Sequence, residues 1–189
     1  MTSHDPTVLP PGLPVPVDDG AADHLPGQAI PALTLPSTTG EPIDMATAAT
    51  GTLVLFCYPR TGRPGEDPPP GWDEIPGARG CTPQACAFRD HHAELAGLGA
   101  RLLGLSAQPP EEQLEAAARL GLPYPLLSDP GLALAAALRL PTFQVGSRRL
   151  YRRLTLVARA GRVVHVFYPV FPPDRNAAEV AAWLRRHPA

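Results

Sequence analysis

Apolar residues along this chain follow two rhythms. Leu53-Val54-Leu55-Phe56-Cys57-Tyr58 is an unbroken apolar run stopped by Pro59, as expected of a strand buried on both faces. Arg101 to Ser106 reads as the next strand and Tyr124 to Leu127 as a short third. Between them the spacing turns helical. One helix is expected from Cys81 to about Gly97 or Gly99, with Ala85, Phe88, Leu95 and Leu98 near one face. Another runs from Glu111 to Leu120, closed by Gly121 in the C′ position. Asp129 is read as the cap of a helix that begins at Pro130 and runs to about Leu138. Leu154 to Ala158 and Val163 to Phe167 flank Ala160-Gly161 and predict an antiparallel hairpin. The last helix carries Val180, Trp183 and Leu184 behind a capping box of Asn176 and Glu179. Near the start, Ala32 to Leu35 and Pro42 to Asp44 bracket Thr39-Gly40 as a small hairpin.

Parallel strands joined by helical crossovers, closed by a hairpin on the same sheet, define an α/β protein with a central mixed sheet flanked by helices. A thioredoxin-like architecture with an N-terminal hairpin extension fits this order. Residues 1–26, rich in Pro, Gly and Asp, are expected to form a poorly ordered arm, and residues 27–189 one domain. An insertion over residues 60–78 interrupts that domain with Pro68-Pro69-Pro70, Gly71 and Trp72.

Composition narrows the function little. The 189 residues suffice for one α/β domain, and 44% hydrophobic with 18% charged residues is ordinary for a soluble protein. A net charge of −2 argues against nucleic acid or an acidic membrane as an obligate partner. All 16 basic residues are arginine, a compositional bias without functional content. Met1 to Pro16 lack the pattern of a signal peptide, and no segment is long and apolar enough to span a membrane. Three clustered cysteines do not make a secreted disulfide framework, so a reducing cytoplasm is expected, where neighbouring cysteines are more often redox-active than structural.

The chemistry concentrates in Gly80-Cys81-Thr82-Pro83-Gln84-Ala85-Cys86-Ala87-Phe88-Arg89-Asp90. Thr82 is placed to cap a helix and Pro83 to open it, so Cys81 meets unpaired N–H groups and the positive end of the helix dipole, which favour thiolate. A second cysteine five residues on suggests peroxide or disulfide chemistry. Cys57, inside an apolar strand, reads as an inert core thiol. His91 and His92 are adjacent and point in different directions on a helix, which argues against a zinc site. Arg89 and Asp90 serve equally well as a structural contact. No motif for a metal, haem, flavin or nicotinamide occurs, and no cofactor is expected.

From about Gly27 to Leu184 the chain resembles the peroxiredoxins, in particular the Q-type or bacterioferritin-comigratory group. The resemblance rests on Gly80-Cys81-Thr82 with Cys86 and Phe88-Arg89-Asp90, on Leu55 to Pro59, and on Gly104-Leu105-Ser106, Leu122 to Asp129 and Arg153-Leu154-Thr155-Leu156, all in the family's order. It implies a thiol-dependent peroxidase acting on hydrogen peroxide or organic hydroperoxides. Cys81 is then the peroxidatic and Cys86 the resolving cysteine, joined in an intramolecular disulfide and recycled by thioredoxin or a similar dithiol protein. Arg153 matches the family arginine that supports thiolate and peroxide, and Pro59 the proline that shields the site. Arg152 competes with Arg153 for that role, but strand alternation admits only one of them to the site. A monomer or weak homodimer is expected. The chain departs from the family at Ala78, where a Thr or Ser hydroxyl is expected. Thr61 and Thr82 are the two residues that could replace it. Five residues of helix advance about 7.5 Å, whereas disulfide-bonded Cα atoms usually lie about 4.4–6.8 Å apart, so residues 81–88 must melt locally on oxidation. Two rival readings are a redox-responsive binding module and a thiol–disulfide oxidoreductase; the absence of Cys-x-x-Cys counts against the latter.

Overall fold

The computed structural model describes residues 8–189; the arm residues before them lie outside the described residues. The first pair of strands is β1 (Thr34–Leu35) and β2 (Ile43–Asp44), antiparallel with Leu35 opposite Ile43. Helix α1 (Met45–Ala48) follows, capped by the Asp44 carboxylate, which accepts the Thr47 N–H at 2.7 Å. Strand β3 (Thr52–Cys57) is buried at every residue. Then come α2 (Cys81–Asp90), α3 (His92–Gly97), β4 (Ala100–Ser106), α4 (Pro110–Leu120), β5 (Leu126–Ser128) and α5 (Ala133–Leu138). The hairpin β6 (Thr142–Val145) and β7 (Arg148–Tyr151) precedes β8 (Leu154–Arg159), β9 (Arg162–Phe167) and α6 (Asn176–Arg186).

The main sheet has the order β5-β4-β3-β8-β9, with β3, β4 and β5 parallel and β8 antiparallel to both its neighbours. Because side chains alternate along a strand, central β3 feeds two cores. Leu53, Leu55 and Cys57 join Met45 and the α5 residues Leu134 and Leu138 on one face. Val54, Phe56 and the adjoining Tyr58 join Cys81, Phe88, Ala116 and Val180 on the other, so helices cover both sides. Gly104 permits a close approach within this second layer. A Cβ there would meet Leu126 Cδ2 at 2.6 Å and Phe56 Cζ at 2.8 Å, and Phe56 itself stacks on Phe88 of α2 with ring centroids 4.4 Å apart.

Five local readings change. The single helix from Cys81 breaks at His91 (φ −97°, ψ 2°), whose Nδ1 turns back to the Ala87 carbonyl at 2.9 Å beside its own N–H. Asp129 does cap a helix, but one that begins three residues later than expected: its carboxylate accepts Ala133 N–H at 2.8 Å and Leu134 N–H at 2.9 Å. The Asn176–Glu179 capping box does not form, because the Asn176 side chain is buried and bonded elsewhere. The β6–β7 hairpin escaped the sequence reading, since its strands are short and largely exposed or half-buried and only Leu150 and Tyr151 are buried. Over residues 8–26, expected to be poorly ordered, the arm lies against the domain with Ala22 and Leu25 in the core. Among the described residues no helix is long and apolar enough to cross a membrane.

Candidate active site

The site forms where α2 begins. Gly80 takes φ +101°, a left-handed conformation that L side chains rarely adopt. A Cβ there would also lie 2.7 Å from Leu9 Cδ2 and closer still to Pro173 Cγ, so only glycine fits. The helix therefore starts two residues earlier than the Thr82 cap predicts: Cys81 is its first residue, and no side chain caps it. The first helical bond runs from Gln84 N–H to Gly80 O at 3.0 Å. Cys81 and Thr82 thus hold free helix-start N–H groups, and Pro83 has none to offer. Cys81 is 5% exposed.

Arg153 closes the site from the sheet side. It is 3% exposed, and its Nη2 donates to Cys81 Sγ at 3.1 Å. The same nitrogen donates to the carbonyls of Ala78 and Arg79, both at 3.1 Å, and Nε donates to Gly77 O at 3.3 Å. Nη1 donates to Gln84 Oε1 at 2.5 Å. Arg152, the competing arginine, points away and pairs with Asp19 at 3.3 Å.

Gln84 leads into a buried relay. A guanidinium only donates, so Gln84 must turn its oxygen to Arg153 and its Nε2 outward. That amide donates to Asn176 Oδ1 at 3.1 Å, and Thr155 Oγ1 donates to the same oxygen at 2.6 Å. Gln84, Asn176 and Thr155 are all fully buried. The direction imposed by Arg153 leaves Asn176 Nδ2 without a partner. This is why Asn176 is not a helix cap. Sequence reading missed the relay: Gln84 shares a helix face with Cys81 at i+3, a usable signal, whereas nothing local marks Asn176 or Thr155.

Neither threonine proposed to replace the hydroxyl missing at Ala78 bonds to the sulfur. Thr61 N–H and Oγ1 both donate to Gln108 Oε1, at 2.7 and 3.1 Å. Thr82 is buried with no side-chain hydrogen bond among the described residues. At Ala78 itself the backbone takes part: its carbonyl accepts from Arg153 and, at 3.7 Å, from the Cys81 thiol. Pro59 is buried at the end of β3, its carbonyl accepting Ser106 Oγ at 3.0 Å. The insertion that separates Pro59 from Cys81 is pinned by Trp72, which is buried against Ala78 and Leu150 and lies 6.3 Å from the Phe143 ring.

Cys86 lies on the same helix, half-buried, and burial pushes its thiol above the ordinary range. Cys57 packs into the core on the opposite face of the sheet, its thiol raised strongly by burial and, less, by Asp129. The sheet itself separates Cys57 from Cys81. Arg89 bonds Asp90 at 2.9 Å and the Leu120 carbonyl at 3.0 Å, a contact that ties α2 to α4. Among the described residues no cluster of His, Cys, Asp and Glu is placed to hold a metal ion.

The redoxin family model matches residues 25–183. A chloroplastic peroxiredoxin Q of Arabidopsis thaliana is 32% identical over 160 residues, covering 84% of this chain and 66% of that protein. The chain thus spans about two thirds of the length of this plant relative. A Mycobacterium tuberculosis protein classed as a peroxiredoxin is 31% identical over 161 residues, covering 84% of this chain and 95% of that protein. The crystal structure of peroxidoxin BcpB from M. tuberculosis superposes with a TM-score of 0.71 at 28% identity, over 88% of this chain and all 100% of that one. Peroxiredoxin Q of Xanthomonas campestris shares the fold, with a TM-score of 0.65 at 23% identity over 94% of this chain and 99% of that one.

Proposed function

The chain belongs to the redoxin family as a Q-type peroxiredoxin, and we propose that it is a thiol-dependent peroxidase with Cys81 as its nucleophile. The observation that carries this reading is the Arg153 guanidinium 3.1 Å from Cys81 Sγ at the first turn of α2. The Cys81 thiolate attacks the nearer peroxide oxygen. An S–O bond forms, the O–O bond breaks, and the far oxygen leaves with negative charge and takes up a proton as water or alcohol. Arg153 and the free N–H groups of Cys81 and Thr82 are fixed in place before that charge develops, which is where preorganised donors act most strongly. Pro59 shields the site from the side of β3. Thr61 is held by Gln108, which leaves Thr82 as the hydroxyl to assist.

The product is a Cys81 sulfenic acid. The Cys86 thiol attacks it, water leaves, and a Cys81–Cys86 disulfide results. A dithiol protein of the thioredoxin kind then reduces the disulfide by exchange, in a cytoplasmic setting. Both cysteines lie on one helix of one chain, which supports a cycle run by a monomer or a weak homodimer.

The test is reaction of the fully reduced protein with slightly less than an equivalent of hydrogen peroxide, followed by stopped-flow and mass spectrometry beside Cys81→Ser and Cys86→Ser. Rapid consumption that needs Cys81 and ends in the Cys81–Cys86 bond is expected. Consumption no faster than an ordinary free thiol would overturn the proposal and favour a redox-responsive binding module, the reading that Ala78 in place of a hydroxyl residue supports.

A further inference from the structure

The arm divides into a root and a strap. The root is stitched to the hairpin of β8 and β9: Gly27 N–H donates to Val163 O at 2.8 Å, Val163 N–H to Gln28 O at 2.9 Å and Ile30 N–H to Gly161 O at 2.8 Å. Ala22 and Leu25 of the root enter the core. The strap, residues 8–18, is built differently. Among the described residues no hydrogen bond joins it to the domain. Pro10, Pro11, Pro14 and Pro16 fix φ and offer no N–H, so the strap loses little freedom on docking and holds by side-chain packing. A cavity of about 330 Å³ lies between Val15 and Val17 and the side chains of Phe143 and Val170, so this stretch bridges a gap instead of lying flush.

Where the strap does touch, it touches the backbone that shapes the thiol site. Leu9 Cδ2 and Pro173 Cγ both pack on the face of Gly80 where a side chain would stand. The Pro16 ring lies on Gly77, its Cγ 3.5 Å from the place a Cβ would take. Gly77 and Gly80, at φ +78° and +101°, bracket the stretch whose carbonyls hold Arg153. The strap ends at Asp19, which accepts from the Tyr168 hydroxyl at 2.9 Å and pairs at 3.3 Å with Arg152, the neighbour of Arg153.

We propose that the strap is a redox-released clamp: it braces residues 77–81 while both thiols are reduced and comes off when the Cys81–Cys86 disulfide forms. The inference rests on the disulfide of the proposed cycle and adds a segment that governs it. Cys81 cannot reach Cys86 while the first turns of α2 stay wound, and moving Gly80 withdraws the surface under Leu9. The coupling is reciprocal. A strap that binds the dithiol form better must favour reduction of the disulfide by the same factor. Leu9 is half-buried, and half the burial of a leucine is worth about a tenfold factor in an equilibrium. The root keeps its backbone bonds, so release leaves the sheet intact.

The experiment uses the full chain, with Leu9→Ser to remove the clamp contact and Asp19→Asn to weaken the fastening should Leu9→Ser fold poorly. Val8→Ser, at a side chain 61% exposed, is the control. The disulfide is made with hydrogen peroxide and, separately, with diamide, whose N=N bond takes the two electrons and two protons of the thiols and becomes a hydrazine. Elastase cleavage after Val17 is timed in both redox states, and the Cys81–Cys86 couple is titrated in dithiol buffers of known potential. We expect oxidised wild type to be cut about tenfold faster than reduced, and reduced Leu9→Ser to be cut already at the oxidised rate. The potential of Leu9→Ser should fall by about 30 mV, the shift of a tenfold change in a two-electron equilibrium. Asp19→Asn should move both readouts the same way, and Val8→Ser should match wild type. Equal cleavage in the two redox states would overturn the clamp. So would faster cleavage of Leu9→Ser at an unchanged potential, since that marks surface packing alone. If peroxide fails to make the bond but diamide makes it and frees the strap, the peroxidase reading falls and the clamp stands. If neither oxidant makes it, the clamp has no trigger and is overturned.

Discussion

Truncating Asn176 to Ala tests whether the buried relay positions Arg153 for the proposed chemistry or merely fills space. The substitution removes the acceptor of two hydrogen bonds, from Gln84 Nε2 at 3.1 Å and Thr155 Oγ1 at 2.6 Å, in a fully buried place. Each stranded donor costs about 1–3 kcal/mol. Part of that is offset, because the Asn176 Nδ2 group that already lacked a partner disappears with it. The net loss expected is about 2–4 kcal/mol, read as a lower urea midpoint of the reduced protein at constant slope. Gln84 is then free to turn, but Arg153 keeps its three carbonyl acceptors, so the reaction with hydrogen peroxide should slow only about tenfold, or about 1.4 kcal/mol. Thr155→Val supplies the control. In the Asn176→Ala background it removes an orphaned hydroxyl and should cost almost nothing, whereas in wild type it should cost about 1 kcal/mol. A cycle that is additive within about 0.5 kcal/mol would refute the relay. So would a large loss of stability with no change in rate, since that is the mark of packing alone.

Further expectations concern the helix start and the insertion. Oxidation to the disulfide should cut amide protection over residues 81–88 while the sheet stays protected; equal protection in both redox states would contradict local melting. Burial raises the Cys86 thiol, so the folded helix holds that proton more tightly than the unwound one. This stabilisation is fully present at neutral pH and is lost as pH climbs from the ordinary thiol range, about 8.5, through the higher folded-state value. Disulfide formation in single turnover should therefore accelerate on the alkaline side, and a flat profile would count against it. Gly80→Ala should lower both stability and peroxide reactivity, because Leu9 and Pro173 must move to admit the methyl group; wild-type behaviour would mean that the left-handed helix start is dispensable. Replacing residues 62–76 by a short linker should remove the Trp72 anchor and shift organic-hydroperoxide kinetics, and unchanged kinetics would reduce the insertion to a passive loop.

The sheet was legible because its strands are apolar runs whose burial leaves little choice: β3 takes the run from Leu53 as far as Cys57, leaves out Tyr58 and adds Thr52. The thiol site was legible for a different reason. A glycine, a cysteine and a proline in that spacing mark a helix start chemically, and only the cap residue shifts, from Thr82 to Gly80, because an αL glycine does the work without a side-chain bond. What stayed hidden depends on long-range pairing. Asn176 has the local signature of a capping box, yet Arg153 dictates the orientation of Gln84, and Gln84 then claims Asn176, 92 residues further along the chain. The arm was misleading for a similar reason: Pro and Gly set its local stiffness, while a few apolar residues such as Leu25 decide that it docks.

Every acceptor of the Arg153 guanidinium, from the Gly77 carbonyl to the Gln84 side chain, lies within the stretch that ends inside the first turn of α2. In the proposed cycle the grip that readies the sulfur is thus also the grip that keeps it from Cys86. On that proposal, once the sulfenic acid has formed, a waiting period follows whose length is the lifetime of the folded helix start. During it, a second peroxide molecule competes for the same sulfur and would carry it to the irreversible sulfinic level. A firmer hold makes the first strike faster and the dwell longer. On that proposal, the dose of oxidant the protein withstands is timed by the backbone carbonyls of Gly77, Ala78 and Arg79 that hold Arg153.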